Sequence, residues 1–393
     1  MRITIVTETY FPQVNGVSRT LSQLVRVLTA SGDTIQLIHP DYGTPSVSED
    51  GCGSYRVPSL RVPFYPEVRL PRPPYRAVCR AIGTFRPDLI HIATEATLGL
   101  AVLQRALADG LPVVSSFHTN FDQYSDHYQV GWARGLIWRY LRWFHNRTRE
   151  TYVPSRSSIE ALKDREFENL VLWPRGVDAD LFRPDRPGRA AVRKALGFGP
   201  DDVVIAYVGR LAAEKNIDYL AEVLRQSASE CARIRLLIVG DGPSRSLVEA
   251  RLGTMARCVG FRSGEELADH YAAADLFAFA SRTETFGNVV LEALASGLPA
   301  VVLADGGPAE IVQHGETGLA IPPDAPTSRF ADALLTLAED APLRHRLAEN
   351  AREYARSQSW EQIMGTLRER YARIVEGPVP TVTPVGRALS PLD

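Results

Sequence analysis

The chain has 393 residues and a formal net charge of −2, so no global electrostatic pull toward nucleic acid is expected. Hydrophobic residues make up 45% and charged residues 23%, the balance of a soluble globular protein, at a length that suits two α/β domains rather than one core. The four cysteines, Cys52, Cys79, Cys231 and Cys258, have no metal-ligand spacing and read as the reduced thiols of a cytosolic protein.

In chain order, β-branched runs alternate with amphipathic stretches. Met1-Arg2-Ile3-Thr4-Ile5-Val6 opens a strand, Ile3–Thr7, and lacks the long apolar run of a signal peptide. A helical pattern over Val17–Ala30 follows, then strands Thr34–His39 and Leu89–Ile92, a helix over Leu98–Ala108, and strands Pro112–Phe117 and Thr151–Val153. This alternation argues for right-handed βαβ units and a parallel sheet. The pattern lapses around Trp173–Pro200, where Pro174, Gly176, Pro184, Pro187, Gly188, Gly197, Gly199 and Pro200 read as a linker. Strands Val203–Val208, Arg235–Val239, Leu276–Ala280 and Pro299–Val302 restart it.

The expected fold class is α/β, with two Rossmann-like doubly wound domains facing a cleft. The first spans 1–185 and the second 186–358; a helix over 359–376 crosses back to the first domain, and a Pro-rich tail, 377–393, is expected to be disordered. No stretch of about 18 apolar residues occurs, so nothing is expected to span a membrane, and the expected location is cytoplasmic.

Four segments carry chemistry. In Ser281-Arg282-Thr283-Glu284-Thr285-Phe286-Gly287-Asn288-Val289-Val290-Leu291-Glu292, Gly287 marks the turn from loop into helix. Glu284 then lies in the loop. Glu292 reaches back along the helix, because helical side chains lean toward the N-terminus. Unpaired amides at Gly287, Asn288 and Val289 favour an anion. A diphosphate fits between the two carboxylates, one of which can hold sugar hydroxyls and the other a ribose diol. In Gly209-Arg210-Leu211-Ala212-Ala213-Glu214-Lys215, Gly209 allows close backbone approach. Arg210 and Lys215 place two cations at a strand's carboxyl end, one a fork for phosphate oxygens and one a movable point charge. In the first domain, Thr7–Val17 runs from strand through loop to a helix start, so that Asn15-Gly16 presents backbone amides. Phe117-His118-Thr119-Asn120 follows another strand and reaches the same rim. No Asp-x-Asp or histidine ligand pair lies near the diphosphate position, so neither metal nor cofactor is expected.

Together these segments resemble the retaining family-4 glycosyltransferases of GT-B fold, over Met1 to about Val375. The opening Glu8-Thr9-Tyr10-Phe11-Pro12-Gln13-Val14-Asn15-Gly16-Val17 most resembles the branch of GDP-mannose-dependent mannosyltransferases and sulfoquinovosyl- and glucosyl-diacylglycerol synthases. The resemblance implies that Arg210 and Lys215 hold the diphosphate, Glu292 the ribose and Glu284 the donor sugar. It implies backbone contacts from Gly209, Gly287, Asn288 and Val289, with Arg262 near the base. His118 would lie near the anomeric carbon, Gly16 near phosphate and acceptor, and Tyr10 and Asn15 would face the acceptor.

Plainer roles stay open at this point. Arg210 could pair with Glu214, His118 could pack at a strand end, Gly16 could only start a helix, and Asp178 could serve a linker turn. Gly131–Glu150 mixes Trp132, Trp138, Trp143 and Phe144 with arginines, and is either an internal crossover helix or a lipid anchor. Arg56–Arg86 is also Arg-rich, and is either a solvated basic face or a surface for a lipid or anionic acceptor, which would make the protein peripheral at a membrane. The partners expected are a nucleotide sugar and a lipid or saccharide acceptor. The competing functions are a nucleotide-sugar epimerase, a phosphorylase, and a non-catalytic nucleotide-sugar binding protein on the same fold.

Overall fold

The computed structural model describes residues 1–13, 15–43, 52–62, 65–72, 75–118 and 134–377. The chain divides into two compact units, Met1–Pro174 with Glu361–Asp393, and Arg175–Trp360. The first division falls earlier than the 185/186 boundary expected from the sequence. Nearly all of the tail expected from 377 lies outside the described residues.

The first unit contains β1 (Arg2–Val6), α1 (Gly16–Ala30), β2 (Thr34–Pro40), β3 (Cys52–Val57), β4 (Ser59–Val62), β5 (Tyr65–Pro71) and α2 (Arg76–Phe85). It continues with β6 (Leu89–Ile92), α3 (Thr97–Ala108), β7 (Val113–Ser116), α4 (Arg134–His145), β8 (Thr151–Val153), α5 (Arg156–Lys163) and β9 (Leu170–Leu172). The parallel sheet has the order β3-β2-β1-β6-β7-β8-β9, with β4 and β5 as a separate antiparallel pair. Helix α1 begins with a capping box, in which Asn15 accepts from the Ser18 amide and the Ser18 hydroxyl accepts from the Asn15 amide. Its Leu21, Leu24, Val25 and Leu28, at helical spacing, are buried.

The second unit contains α6 (Arg189–Leu196), β10 (Val203–Val208), α7 (Ile217–Glu230), β11 (Ile234–Val239), α8 (Arg245–Leu252), β12 (Ala256–Gly260) and α9 (Gly264–Ala272). Then come β13 (Leu276–Phe279), α10 (Asn288–Ala295), β14 (Ala300–Leu303), α11 (Gly306–Ile311), β15 (Gly318–Ile321), α12 (Thr327–Glu339) and α13 (Ala341–Arg356). Its sheet is parallel throughout, in the order β12-β11-β10-β13-β14-β15. Strands β10, β13 and β14 are buried at every position, the mark of a parallel sheet covered on both faces.

Part of the stretch read as linker is helix. Arg193 of α6 donates to Asp275 at 3.0 Å and to the carbonyls of Ala273, Gly199 and Asp202. Arg186, just before it, donates to Asp269 at 2.6 Å. Side-chain bonds to distant carboxylates and carbonyls fix a segment whose Pro and Gly content reads as loop.

Helix α14 (Trp360–Glu376) ends the described chain, and from Glu361 it belongs to the first unit. Met364, Leu367 and Tyr371 are buried. Arg370 forks onto Glu150 at 2.9 and 2.7 Å, and Arg368 donates to Asp33 at 2.6 Å. Bidentate geometry makes the Arg370 contact directional as well as charged. Truncating a buried leucine typically costs about 2–5 kcal/mol. Leu367→Ala should therefore lower the unfolding free energy of the first unit by an amount in that range, and with it the urea midpoint. An unchanged midpoint would mean that α14 adds nothing to this core.

Candidate active site

In the second unit the strand order reverses between β10 and β13. Ligands of open parallel sheets gather at the carboxyl ends of strands at such a point. Two loops leave those ends, residues 209–216 and 280–287. Lys215 Nζ donates to Glu284 Oε1 at 2.6 Å, the Thr283 hydroxyl to the Glu214 carbonyl at 2.9 Å, and Asn216 Nδ2 to the Ala280 carbonyl at 3.2 Å. Both members of the Lys215–Glu284 pair are only about one-fifth exposed, at 20% and 22%. Arg210 is 67% exposed and lies 3.8 Å from Glu214, so this pairing is present but loose and leaves the guanidinium accessible. The Tyr207 hydroxyl donates to the Arg210 carbonyl at 3.0 Å. Burial, with the charges of Glu284 and Glu214, pushes the Tyr207 phenol up, so it stays a neutral donor.

Gly287 stands before the first residue of α10, and the first helical bond runs from the Val290 amide to the Gly287 carbonyl at 2.9 Å. The amides of Asn288 and Val289 precede that bond and are the orphan donors of a helix start. Glu292, further along α10, is buried, and the Tyr271 hydroxyl lies 3.1 Å from both its Oε2 and the Val289 carbonyl. Arg262 follows β12, with its Nε 2.6 Å from Glu266 Oε1. Its neighbour Phe261 is 64% exposed.

Backbone crossings set this geometry. Gly240, at φ +138°, passes so near Gly209 that a Cβ would stand 1.9 Å from the Gly209 carbonyl oxygen. A Cβ on Gly307 would stand 2.4 Å from the Phe286 Cα, and its amide donates to the Glu284 carbonyl at 3.1 Å. The sequence reading passed over both, although Gly240-Asp241-Gly242 directly after a strand was a usable signal.

In the first unit the order reverses between β1 and β6. Glu8, after β1, accepts from the Leu98 and Gly99 amides at 2.9 and 3.0 Å and so caps α3. Burial pushes its carboxyl up. Tyr10 is buried, its ring 5.4 Å from that of His39. Asn15 Oδ1 accepts from the Ser18 amide at 2.9 Å, and its Nδ2 donates to the Thr9 hydroxyl at 2.8 Å. Gly16 is exposed, and a Cβ there would meet nothing within 4 Å. His118 follows β7, its Nε2 2.8 Å from Ser116 Oγ and its ring 6.0 Å from that of Trp173. Val14, Thr119 and Asn120 lie outside the described residues. Glu95, three residues after β6, was missed. Burial, reinforced by the charge of Glu8, pushes its carboxyl up to about 7.

The described part of the aromatic, basic segment is an internal helix. Phe144 and His145 of α4 are buried, and Trp138 stacks on the buried Phe117 with ring centroids 6.4 Å apart. Arg165 and Arg147 lie over the rings of Trp138 and Trp143 at 4.5 and 4.3 Å. Trp132 lies outside the described residues.

Two protein families match the chain: "Glycosyltransferase Family 4" over residues 14–181 and "Glycosyl transferases group 1" over residues 188–354. The GDP-mannose-dependent alpha-mannosyltransferase of Mycobacterium tuberculosis is 33% identical over 95% of this chain and 97% of its own. The alpha-monoglucosyldiacylglycerol synthase of Streptococcus pneumoniae is 30% identical over 78% of this chain and 72% of its own. Sucrose-phosphate synthase from Thermosynechococcus elongatus has the same fold, with a TM-score of 0.76 at 23% identity over 95% of this chain and 98% of that one.

Arg210 and Lys215 put two cations in the loop after β10, where the sequence leads one to expect a diphosphate. A hydrogen bond to a charged group contributes about 1.5–3 kcal/mol, or roughly 10- to 150-fold in affinity. Inorganic diphosphate titrated by calorimetry should bind that much more weakly to Arg210→Ala and to Lys215→Ala. Equal affinity in all three proteins would remove both residues from the anion site.

Proposed function

We propose a reaction for this chain, which belongs to the family 4 glycosyltransferases: transfer of a hexose from a nucleotide diphosphate sugar to a lipid or saccharide acceptor, with retention at the anomeric carbon. The observation that carries the reading is the Lys215–Glu284 pair beside the orphan amides of α10. Cations and amides suit the diphosphate. Glu284 suits the hydroxyls of the sugar, and Glu292, fixed by Tyr271, the ribose. Fixed donors aimed at a leaving group that gains charge stabilise the transition state. GDP-mannose is the favoured donor, because relatives that match over 95% of this chain are GDP-mannose-dependent alpha-mannosyltransferases.

The clamp supplies positive charge from side chains. Among the described residues no group of three or more His, Cys, Asp or Glu could hold a metal ion. Because Arg210 and Lys215 can supply that charge, we expect transfer without a metal or cofactor. With GDP-mannose and a diacylglycerol acceptor, transfer should persist in excess EDTA and give the α-mannoside by NMR. Loss restored by Mg²⁺ would overturn the metal-free clamp, and a β product would overturn retention.

The acceptor side of the proposal rests on α2. Its Val78 and Ile82 are buried, while Arg76, Arg80 and Arg86 are exposed and form no ion pair among the described residues. With Tyr75 and Arg105 they line an open groove of about 950 Å³. Of the larger Arg-rich segment, the side chain of Arg61 lies outside the described residues. No helix among the described residues is long and apolar enough to cross a membrane. A peripheral contact with anionic lipid at the cytosolic leaflet is the mode proposed. Each arginine near such a surface contributes about 1 kcal/mol, screened by salt. Arg76, Arg80 and Arg86 changed together to Ser should weaken binding to anionic liposomes while donor affinity holds. Wild-type protein that ignores such liposomes yet glycosylates a soluble saccharide would refute the lipid surface.

A further inference from the structure

His118 ends a buried chain of hydrogen bonds that runs through three elements of the first unit. Tyr371 on α14 has its hydroxyl 2.6 Å from His91 Nδ1 on β6. His91 Nε2 is 2.9 Å from Ser116 Oγ on β7, and Ser116 Oγ is 2.8 Å from His118 Nε2. Tyr371, His91 and Ser116 have no exposed surface. The rings of Trp173 and Tyr152 flank His91, with centroids 5.8 Å from its own. Water has no place in the chain, so each proton must go to one of the named atoms.

The direction of the chain follows from its buried end. Among the described residues the Tyr371 hydroxyl has one hydrogen-bond partner, His91 Nδ1. Burial pushes the phenol far above its ordinary range, so it keeps its proton. A buried O–H left without an acceptor costs more than a made hydrogen bond returns. Tyr371 therefore donates to Nδ1. His91 is then neutral with its proton on Nε2, which donates to Ser116 Oγ. The single Ser116 proton is left to donate to His118 Nε2. A neutral histidine that accepts at Nε2 carries its proton on Nδ1.

We propose that Tyr371, His91 and Ser116 are positioning residues that lock His118 in the Nδ1–H form, so that it meets the reacting sugar or acceptor as a hydrogen-bond donor and not as a base. The proposal rests on His118 acting in transfer. The returning helix then supplies the group that sets the polarity of a site histidine, beyond closing the core.

The tautomer is read from long-range ¹⁵N–¹H correlations of protein labelled at its histidines, with His118→Gln assigning the signal. Wild type should show His118 protonated on Nδ1. Tyr371→Phe, which keeps the ring but removes the hydroxyl, should shift His118 toward the Nε2–H form. It should also lower kcat about 3- to 10-fold with the donor KM unchanged, the effect of one hydrogen bond. In a His118→Ala background the same change should cost nothing further, which a purely structural role would not produce. Wild-type His118 protonated on Nε2, or an unmoved tautomer in Tyr371→Phe, would overturn the relay. If the tautomer shifts but neither His118→Ala nor Tyr371→Phe alters turnover, the relay stands and the role of His118 in transfer falls.

Discussion

The 2.6 Å ion pair between Lys215 and Glu284 is the constraint on which the second unit's site depends. It joins two loops at the point where the strand order reverses, and their residues are otherwise far apart in the chain. A pair so little exposed is not an efficient source of stability, because desolvation of both charges offsets much of their attraction. Its value lies in position. In the proposed complex a diphosphate takes over Lys215 and the sugar hydroxyls take over Glu284, so each charge exchanges one partner for another. Without ligand, the pair keeps both side chains near their working places and spares the protein the cost of two unpaired charges.

Such closeness demands backbone against backbone. Gly240 meets Gly209 and Gly307 meets Phe286 at distances where any side chain would drive the loops apart. The Gly307 amide also fixes the Glu284 carbonyl. The carboxylate is thus held from two directions, by Lys215 at its head and by Gly307 at its own peptide. Parallel sheets place these loops in register automatically, since every strand of the unit ends on the same side.

Much of this was legible in the sequence. Buried strands such as Val203–Val208 and Leu89–Ile92 announce themselves by β-branched and largely apolar runs, and the structure gives them the same limits. Strands β3 and β9 escaped because their positions are mostly half-buried or exposed, which erases the apolar run. Helix α6 escaped because distant partners, Asp275 above all, hold it in place. The sequence also placed Lys215 and Glu284 in loops that follow strands, and the structure joins them in an ion pair. Glu95, in the first unit, was not legible, because only the fold brings the charge of Glu8 near it and reduces its exposure.

Helices α2 and α4 show where composition stops informing. Each mixes arginines with apolar or aromatic residues, and the sequence offered a lipid contact for both segments. In α4 the aromatic rings face the core and the neighbouring Arg147 and Arg165 lie over them, so charge and ring satisfy each other within the unit. In α2 the buried positions are Val78 and Ile82, while Arg76 and Arg80 are exposed. An arginine over a tryptophan has part of its attraction spent inside the protein. An arginine one turn from the next along an open groove keeps its charge for what approaches from outside. What separates an internal crossover helix from a surface for anions is which residue types the core claims, and that is settled by the packing of neighbours such as Phe117, remote in sequence from both helices.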